Sequence, residues 1–444
     1  MLAAMPPAPS NRPDTDETPV TPVRDRSDAC PGALRLHTAD DGALARVRIP
    51  AGVLSAAQAY VLADAAERLG DGALDITSRG NLQLRGLEAG CGGELARLLD
   101  ACGLLPAPRH ERVRNVVASP LSGLDGRGHP DVQPLVRELD ALLCASERAP
   151  ELSGRFLFAL DDGRGDMAEF AADVMLLAEP DGAWVRVDAG DAAVRVRAGD
   201  GPRAMLLAAD AFLDAAAASA TRAWRVRELP AAHALSTADL VGRIASAGIE
   251  TFPAGALPGA DRAGGGERPP APGAGTGWVY AVAPLGRLTA AQWRLVAATA
   301  DAHGTGELRV TPWRGVVVAG AGRQQAAALA DAGLVTGPDS PWLGVGACTG
   351  RPGCAKSLAD VRADATALLT AGAGGLPVHW SGCERRCGHP RGDWADVVAT
   401  GDGHYEVSAP GAPPRTVPLP ELAGALAAAR TTTPTKTTTK TPTK

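Results

Sequence analysis

The chain repeats itself at a fixed distance, and that repeat limits the folds open to it. Leu54-Ser55-Ala56-Ala57-Gln58 is echoed by Leu288-Thr289-Ala290-Ala291-Gln292, 234 residues later. Leu74-Asp75-Ile76-Thr77 is echoed by Leu308-Arg309-Val310-Thr311 at the same distance. Ala43 to Ile49 alternates apolar and polar residues as a half-buried strand does. Leu54 to Leu69 then has helical spacing behind Ser55, a residue type that caps helix N-termini. Leu74 to Leu84 returns to strand character around Gly80. An offset kept through strand, helix and strand marks a duplication rather than two unrelated α+β units. Two pseudo-symmetric copies, joined side by side, are expected.

The pairing continues downstream. Ser153-Gly154 reads against Ser381-Gly382, Arg164-Gly165-Asp166 against Arg391-Gly392-Asp393, and Ala172-Asp173-Val174 against Ala395-Asp396-Val397. Asp-Gly pairs at 181–182 and 402–403 then mark hairpin turns. On this pairing Arg155 stands where Cys383 stands. Asn115 to Gly123 lies opposite Gly344 to Gly350 without a cysteine.

Those cysteines carry the chemistry. Gly346 to Pro390 holds four of the chain's eight, as Cys348-x5-Cys354 and Cys383-x3-Cys387. Glycines 344, 346, 350, 353, 382 and 388 surround them. A [4Fe–4S] cube needs four thiolates converging from different directions with backbone N–H groups near its sulfides. Glycine-rich loops supply both, because glycine reaches backbone angles closed to other residues. Zinc sites favour two to four residues between paired thiolates, so the first pair fits zinc poorly and the second only loosely. A disulfide pair suits a secreted protein, and nothing here marks one. Since the first copy lacks the thiols, one cluster is expected, not two.

At 444 residues two or more domains are expected. With 44 basic and 50 acidic residues, a net charge of −6 argues against a nucleic-acid binder held by phosphate contacts. No apolar run is long enough to span a membrane, and the N-terminus is unlike a secretory signal. A cytoplasmic protein with reduced cysteines follows. No dinucleotide fingerprint follows a strand, so electrons for any redox reaction come from an external donor. Histidine offers no iron-binding pattern, His389 near Cys387 being the best placed.

The cysteine arrangement resembles the signature of the nitrite and sulfite reductase superfamily. There the last cysteine, here Cys387, bridges a [4Fe–4S] cluster to the iron of sirohaem. Thr77 to Gly86 (TSRGNLQLRG) and Arg114-Asn115-Val116 are similar to that family's substrate and tetrapyrrole contacts. The resemblance implies binding roles for Arg79, Arg85 and Arg114, and extends to Arg155 and, in the second copy, Arg314. Arginine suits the task because it stays charged and grips carboxylates bidentately. Where the reductases carry Lys-x-Lys, this chain reads Arg155-Phe156-Leu157, which removes one of two cations from a small-anion cage. Ala29 to Ile49, Gly154 to Asp166 and Ser381 to Pro390 resemble the cobalamin-pathway branch of the superfamily.

That branch implies oxidation of precorrin-3A by molecular oxygen, with a hydroxyl placed at C20 and a lactone closed, and an iron additional to the cluster. The implied fold is α+β: two copies, each a ferredoxin-like half-domain followed by a reductase-type lobe. The expected bounds are 30–106 and 107–252, a linker at 253–277, then 278–338 and 339–430. A leader at 1–29 and a tail at 431–444 are expected to be disordered. A sirohaem-dependent sulfite or nitrite reductase and a non-catalytic iron–sulfur carrier are the competing readings.

Overall fold

The computed structural model describes residues 28, 30–188, 192–256, 270–390, 392–401 and 403–431. The leader, the middle of the linker and the tail lie outside the described residues, as do Arg391 and Asp402. The chain forms two compact units. One comprises residues 43–337 with the segment leading to Thr38; the other comprises 338–431 with Ala39–Gly42.

In the first unit the two half-domains are laced together rather than merely adjacent. The first helix of each is capped alike: Ser55 and Gln58 form a capping box on Ala56–Leu69, and Thr289 and Gln292 form one on Ala290–His303. The short strand before each helix leaves its own half. Val53–Ser55 pairs with Glu307–Val310, and Arg287–Thr289 pairs with Ala73–Ile76. The registers obey the 234-residue offset: Leu54 lies opposite Leu308, and Leu288 opposite Leu74. The two helices pack on each other, and the buried Trp293 donates its indole N–H to the Ala59 carbonyl at 2.8 Å. All four of those leucines belong to one continuous core.

The exchange needs a sharp reversal before each strand. Ala51-Gly52 and Leu285-Gly286 make it, each with φ near +50 to +75° at both residues. Gly52 has no room for a side chain, since a Cβ there would sit 1.8 Å from the Val310 carbonyl oxygen. Gly52→Ala is therefore expected to destabilise this unit by about 3 kcal/mol, read as a shifted denaturant midpoint. An unchanged midpoint would show that the exchanged strand yields freely.

The two lobes share one plan. In each, three parallel strands are followed by antiparallel ones. The first lobe uses Val116–Ala118, Phe158–Asp161 and Val174–Glu179; the second uses Val345–Ala347, Val378–Ser381 and Ala395–Gly401. The ends of the expected linker are structured. Phe252–Ala256 is the edge strand of the first lobe's sheet, and Gly273–Gly275 pairs with Trp278–Val282. An edge strand requires backbone hydrogen bonding on one side only, which glycine and alanine permit.

Candidate functional site

Strand register identifies what each lobe places at the position of the cysteines. Cys348 follows Ala347, and its N–H donates to the Trp380 carbonyl at 2.9 Å. Ser119 follows Ala118 and donates in the same way to Leu160 at 3.1 Å. The Gly382 N–H donates to Cys348 Sγ at 3.2 Å, and the Asp162 N–H to Ser119 Oγ at 3.2 Å. Asp162, not Gly154, is thus the counterpart of Gly382. The pairings of Gly154-Arg155 with Gly382-Cys383 and of Arg164-Gly165-Asp166 with Arg391-Gly392-Asp393 are corrected. Ser-Gly and Arg-Gly-Asp recur readily in loops, whereas the ladder between strands fixes register.

The first lobe fills the corresponding space with charge. Arg164 donates to both oxygens of Asp162, at 2.8 and 2.6 Å, and to Asp125 at 2.8 Å. Ser119 Oγ lies 2.6 Å from Asp166. All five side chains are nearly inaccessible. Burial, followed by the charge of Asp161, pushes the Asp166 carboxyl up to about 8.

In the second unit, four free cysteines occupy two loops braced to the sheet. The Leu358 N–H donates to the Gly382 carbonyl at 2.7 Å, joining the loops. Arg362 Nε donates to the Cys348 carbonyl at 3.3 Å, and the Ala355 N–H to Asp40 at 2.5 Å. A Cβ on Gly382 would strike Ser357 Oγ at 1.8 Å, which explains the glycine there. The Cys387 thiol is pushed up by burial; Arg385 opposes this, while Cys348, Cys383 and Cys354 add to it, so the four are electrostatic neighbours. Cys387 is the exposed one.

Among the described residues, no three His, Cys, Asp or Glu side chains gather closely enough for a single metal ion. A cube places each thiolate on a different iron, so its ligands stand around a volume rather than a point. Four thiols, an N–H already directed at one sulfur and close-packed glycines suit that cluster.

The arginines divide. Arg79 donates to the Gly154 carbonyl at 3.3 Å, and Arg155 is exposed with its guanidinium 4.9 Å from the Trp224 ring. Arg114 turns elsewhere: it grips Asp140 with two bonds of 2.7 Å in a recess of about 160 Å³, also lined by Arg48 and Arg137. Arg85 is buried in the strand Leu82–Leu87. Arg314 is the positional counterpart of Gly80, with φ of +62° against +65°. Trp313, not an arginine, stands opposite Arg79 in the second half.

Two arginines went unnoticed in the sequence although its alternation exposes them. Arg46 and Arg48 share one face of the strand that the ALARVRI pattern predicts. Burial first, then Arg46, pushes the Arg48 guanidinium down to about 9. Burial and then Arg225 push Arg79 down to about 10, and burial also lowers Arg46. Arg46 Nε and Arg48 Nη1 are buried without a hydrogen-bond partner. The nearby carboxylates offset part of this charge while also accepting from backbone: Asp28 from the N–H groups of Cys30 and Gly154, and Glu111 from those of Ala33 and Leu34. A buried excess of positive charge is costly, and an anion relieves it.

The nitrite/sulfite reductase ferredoxin-like half domain matches residues 37–101 and again 270–333, the two halves that exchange strands. The chain thus carries two half domains of the nitrite and sulfite reductase type, and the relatives it resembles are of that superfamily. A superfamily member from Sinorhizobium, named precorrin-3B synthase, is 28% identical over 399 residues, covering 85% of this chain and 82% of its own. A ferredoxin–nitrite reductase from Synechococcus elongatus is 28% identical over 396 residues, covering 78% and 74%. The NirA protein of Mycobacterium tuberculosis shares the superfamily's α+β fold, with a TM-score of 0.58 at 19% identity over 86% of this chain and 79% of that one. These relatives are redox enzymes, which supports an oxidoreductase. Among its described residues, no helix is long and apolar enough to cross a membrane.

Proposed function

We propose that the protein is a precorrin-3B synthase, an oxygen-dependent oxidoreductase acting on precorrin-3A. The observation that carries this reading is the cationic set of buried Arg48 with half-buried Arg46 and Arg79, in which Arg46 Nε and Arg48 Nη1 lack hydrogen-bond partners. A macrocycle fringed with carboxylates supplies the missing negative charge at several points, which a single small anion does not. Arg85, Arg155 and Arg314 are the further candidates for its remaining carboxylates. Arg114 is the weakest member, because Asp140 already saturates its fork.

Leu157 supports the same choice. It is buried at 1% exposure in an apolar cluster with Val117, Ala159 and Met167, so this position offers no second cation for sulfite or nitrite. In the proposed reaction one atom of dioxygen enters the substrate as the C20 hydroxyl. The other leaves as water, with two electrons and two protons from an external donor. The oxygen of a ring-A acetate adds to the carbon doubly bonded to C20, so that this double bond is consumed, the carboxyl proton ends on the new hydroxyl and the lactone closes with a net gain of one oxygen atom. Cys348, Cys354, Cys383 and Cys387 would hold the [4Fe–4S] cluster, which would supply electrons one at a time. The arginines bind and orient the carboxylates, and their charge keeps those groups ionised.

The second reading is a sirohaem-dependent nitrite or sulfite reductase, favoured by the likeness to ferredoxin–nitrite reductases. Anaerobic purification with iron, sulfide and absorption analysis, then addition of precorrin-3A and oxygen, separates the two. A product heavier by one oxygen atom supports the synthase. A strong Soret-type band with reduction of sulfite or nitrite supports the reductase. Under the synthase reading, Arg79→Ala weakens precorrin binding about tenfold or more while iron and sulfide stay unchanged. Normal binding in that variant would mark Arg79 as structural.

A further inference from the structure

Arg386 lies between Cys383 and Cys387 with φ of +46°, a left-handed conformation that favours glycine. A bulky residue kept there points to work done by its side chain. The backbone closes a turn, since the Arg386 N–H donates to the Cys383 carbonyl at 3.2 Å. The guanidinium then reaches out of the loop to two adjacent strands. Nε donates to Asp396 on Ala395–Gly401, and Nη2 to Glu406 on His404–Ser408 at 3.4 Å. Nη1 donates within the loop to the Glu384 carbonyl at 3.2 Å.

A second anchor stands beside the first. His379 is the ladder partner of Asp396, and its Nε2 is 3.0 Å from the Cys387 carbonyl. Neighbouring positions on one face of the sheet therefore hold the turn residue and the last cysteine.

We infer that Arg386 is a positioning residue for the cluster, latching the loop that carries Cys383 and Cys387 to Asp396 and Glu406. The inference rests on the cluster reading above. A planar fork can serve two carboxylates at once, and lysine reaches one of them. Partners behind metal ligands typically govern how firmly the metal is kept.

Glycine at this position separates the latch from the turn. Arg386→Gly removes the guanidinium while relieving the unfavourable backbone conformation, so a purely structural role predicts a lowered melting temperature of the iron-free chain, from Asp396 left unpaired, with iron retained as in wild type. The experiment compares wild type, Arg386→Gly and Arg386→Lys for iron and sulfide per chain, the rate of iron loss to a ferrous chelator, the reduction potential, and the melting temperature of the iron-free chain. Arg386→Gly is expected to lose iron about tenfold faster or more, with a lowered potential. Arg386→Lys is expected to fall between the two. Iron retained equally by Arg386→Gly and wild type, at equal potential, would overturn the positioning role alone. Wild-type protein reconstituted without iron or sulfide would overturn the cluster reading and this inference together.

Discussion

Replacing Cys387 by serine is expected to leave the chain without its iron and acid-labile sulfide. A cube held by three thiolates instead of four is kept less firmly, and a serine hydroxyl, far less acidic than a thiol, is a poor substitute for thiolate. Cys387 is also the exposed member of the four, so under the cluster reading its replacement would open the cluster to water. The matched control is Cys144→Ser. Cys144 lies in the helix Gln133–Ala145 of the other unit, and its loss should leave iron and sulfide unchanged. Iron and sulfide assays with low-temperature electron paramagnetic resonance decide the matter. Full iron content in the Cys387→Ser protein would refute the ligand assignment.

The second large effect is on stability. Arg164→Met removes the cation shared by Asp125, Asp162 and Asp166 while leaving those carboxylates buried. Breaking a buried charge network in this way typically costs about 3–5 kcal/mol. The deficit should grow with pH. The folded-state value for Asp166, about 8, lies above the ordinary 3.8, so the native protein binds this proton more tightly than the unfolded chain. Its contribution to stability is complete below about pH 4 and is lost as pH rises towards 8. Asp166→Asn should reduce that slope, to which the buried Asp161 and Asp173 carboxyls also contribute, and exceed wild type in stability at pH 8, as measured by denaturant unfolding across pH. A wild-type slope retained in the Asn protein would show that Asp166 is ionised throughout.

Under the cluster reading, this network takes the place of a cluster in the first lobe. Arg164 joins the two loops that four thiolates would otherwise tie through iron. An iron-free protein should therefore keep the first lobe intact while the cysteine loops of the second open.

The local pattern of the chain determined its half-domains. Ser55 with Gln58 and Thr289 with Gln292 are nearest-neighbour capping signals, and alternation is a local property of a strand, so both copies could be read at their common offset. The cysteine spacing was equally local. Tertiary structure decided the rest. That Val53–Ser55 and Arg287–Thr289 change places depends on pairing across more than two hundred residues, and no short-range preference encodes it. The counterpart of Gly382 was set by ladder hydrogen bonds, which overruled matching loop words. Arg114 carried the expected motif, yet its fork went to Asp140, 26 residues away in sequence. A charged side chain shows its type in sequence, but its partner is chosen only by burial, where leaving the charge unpaired costs most.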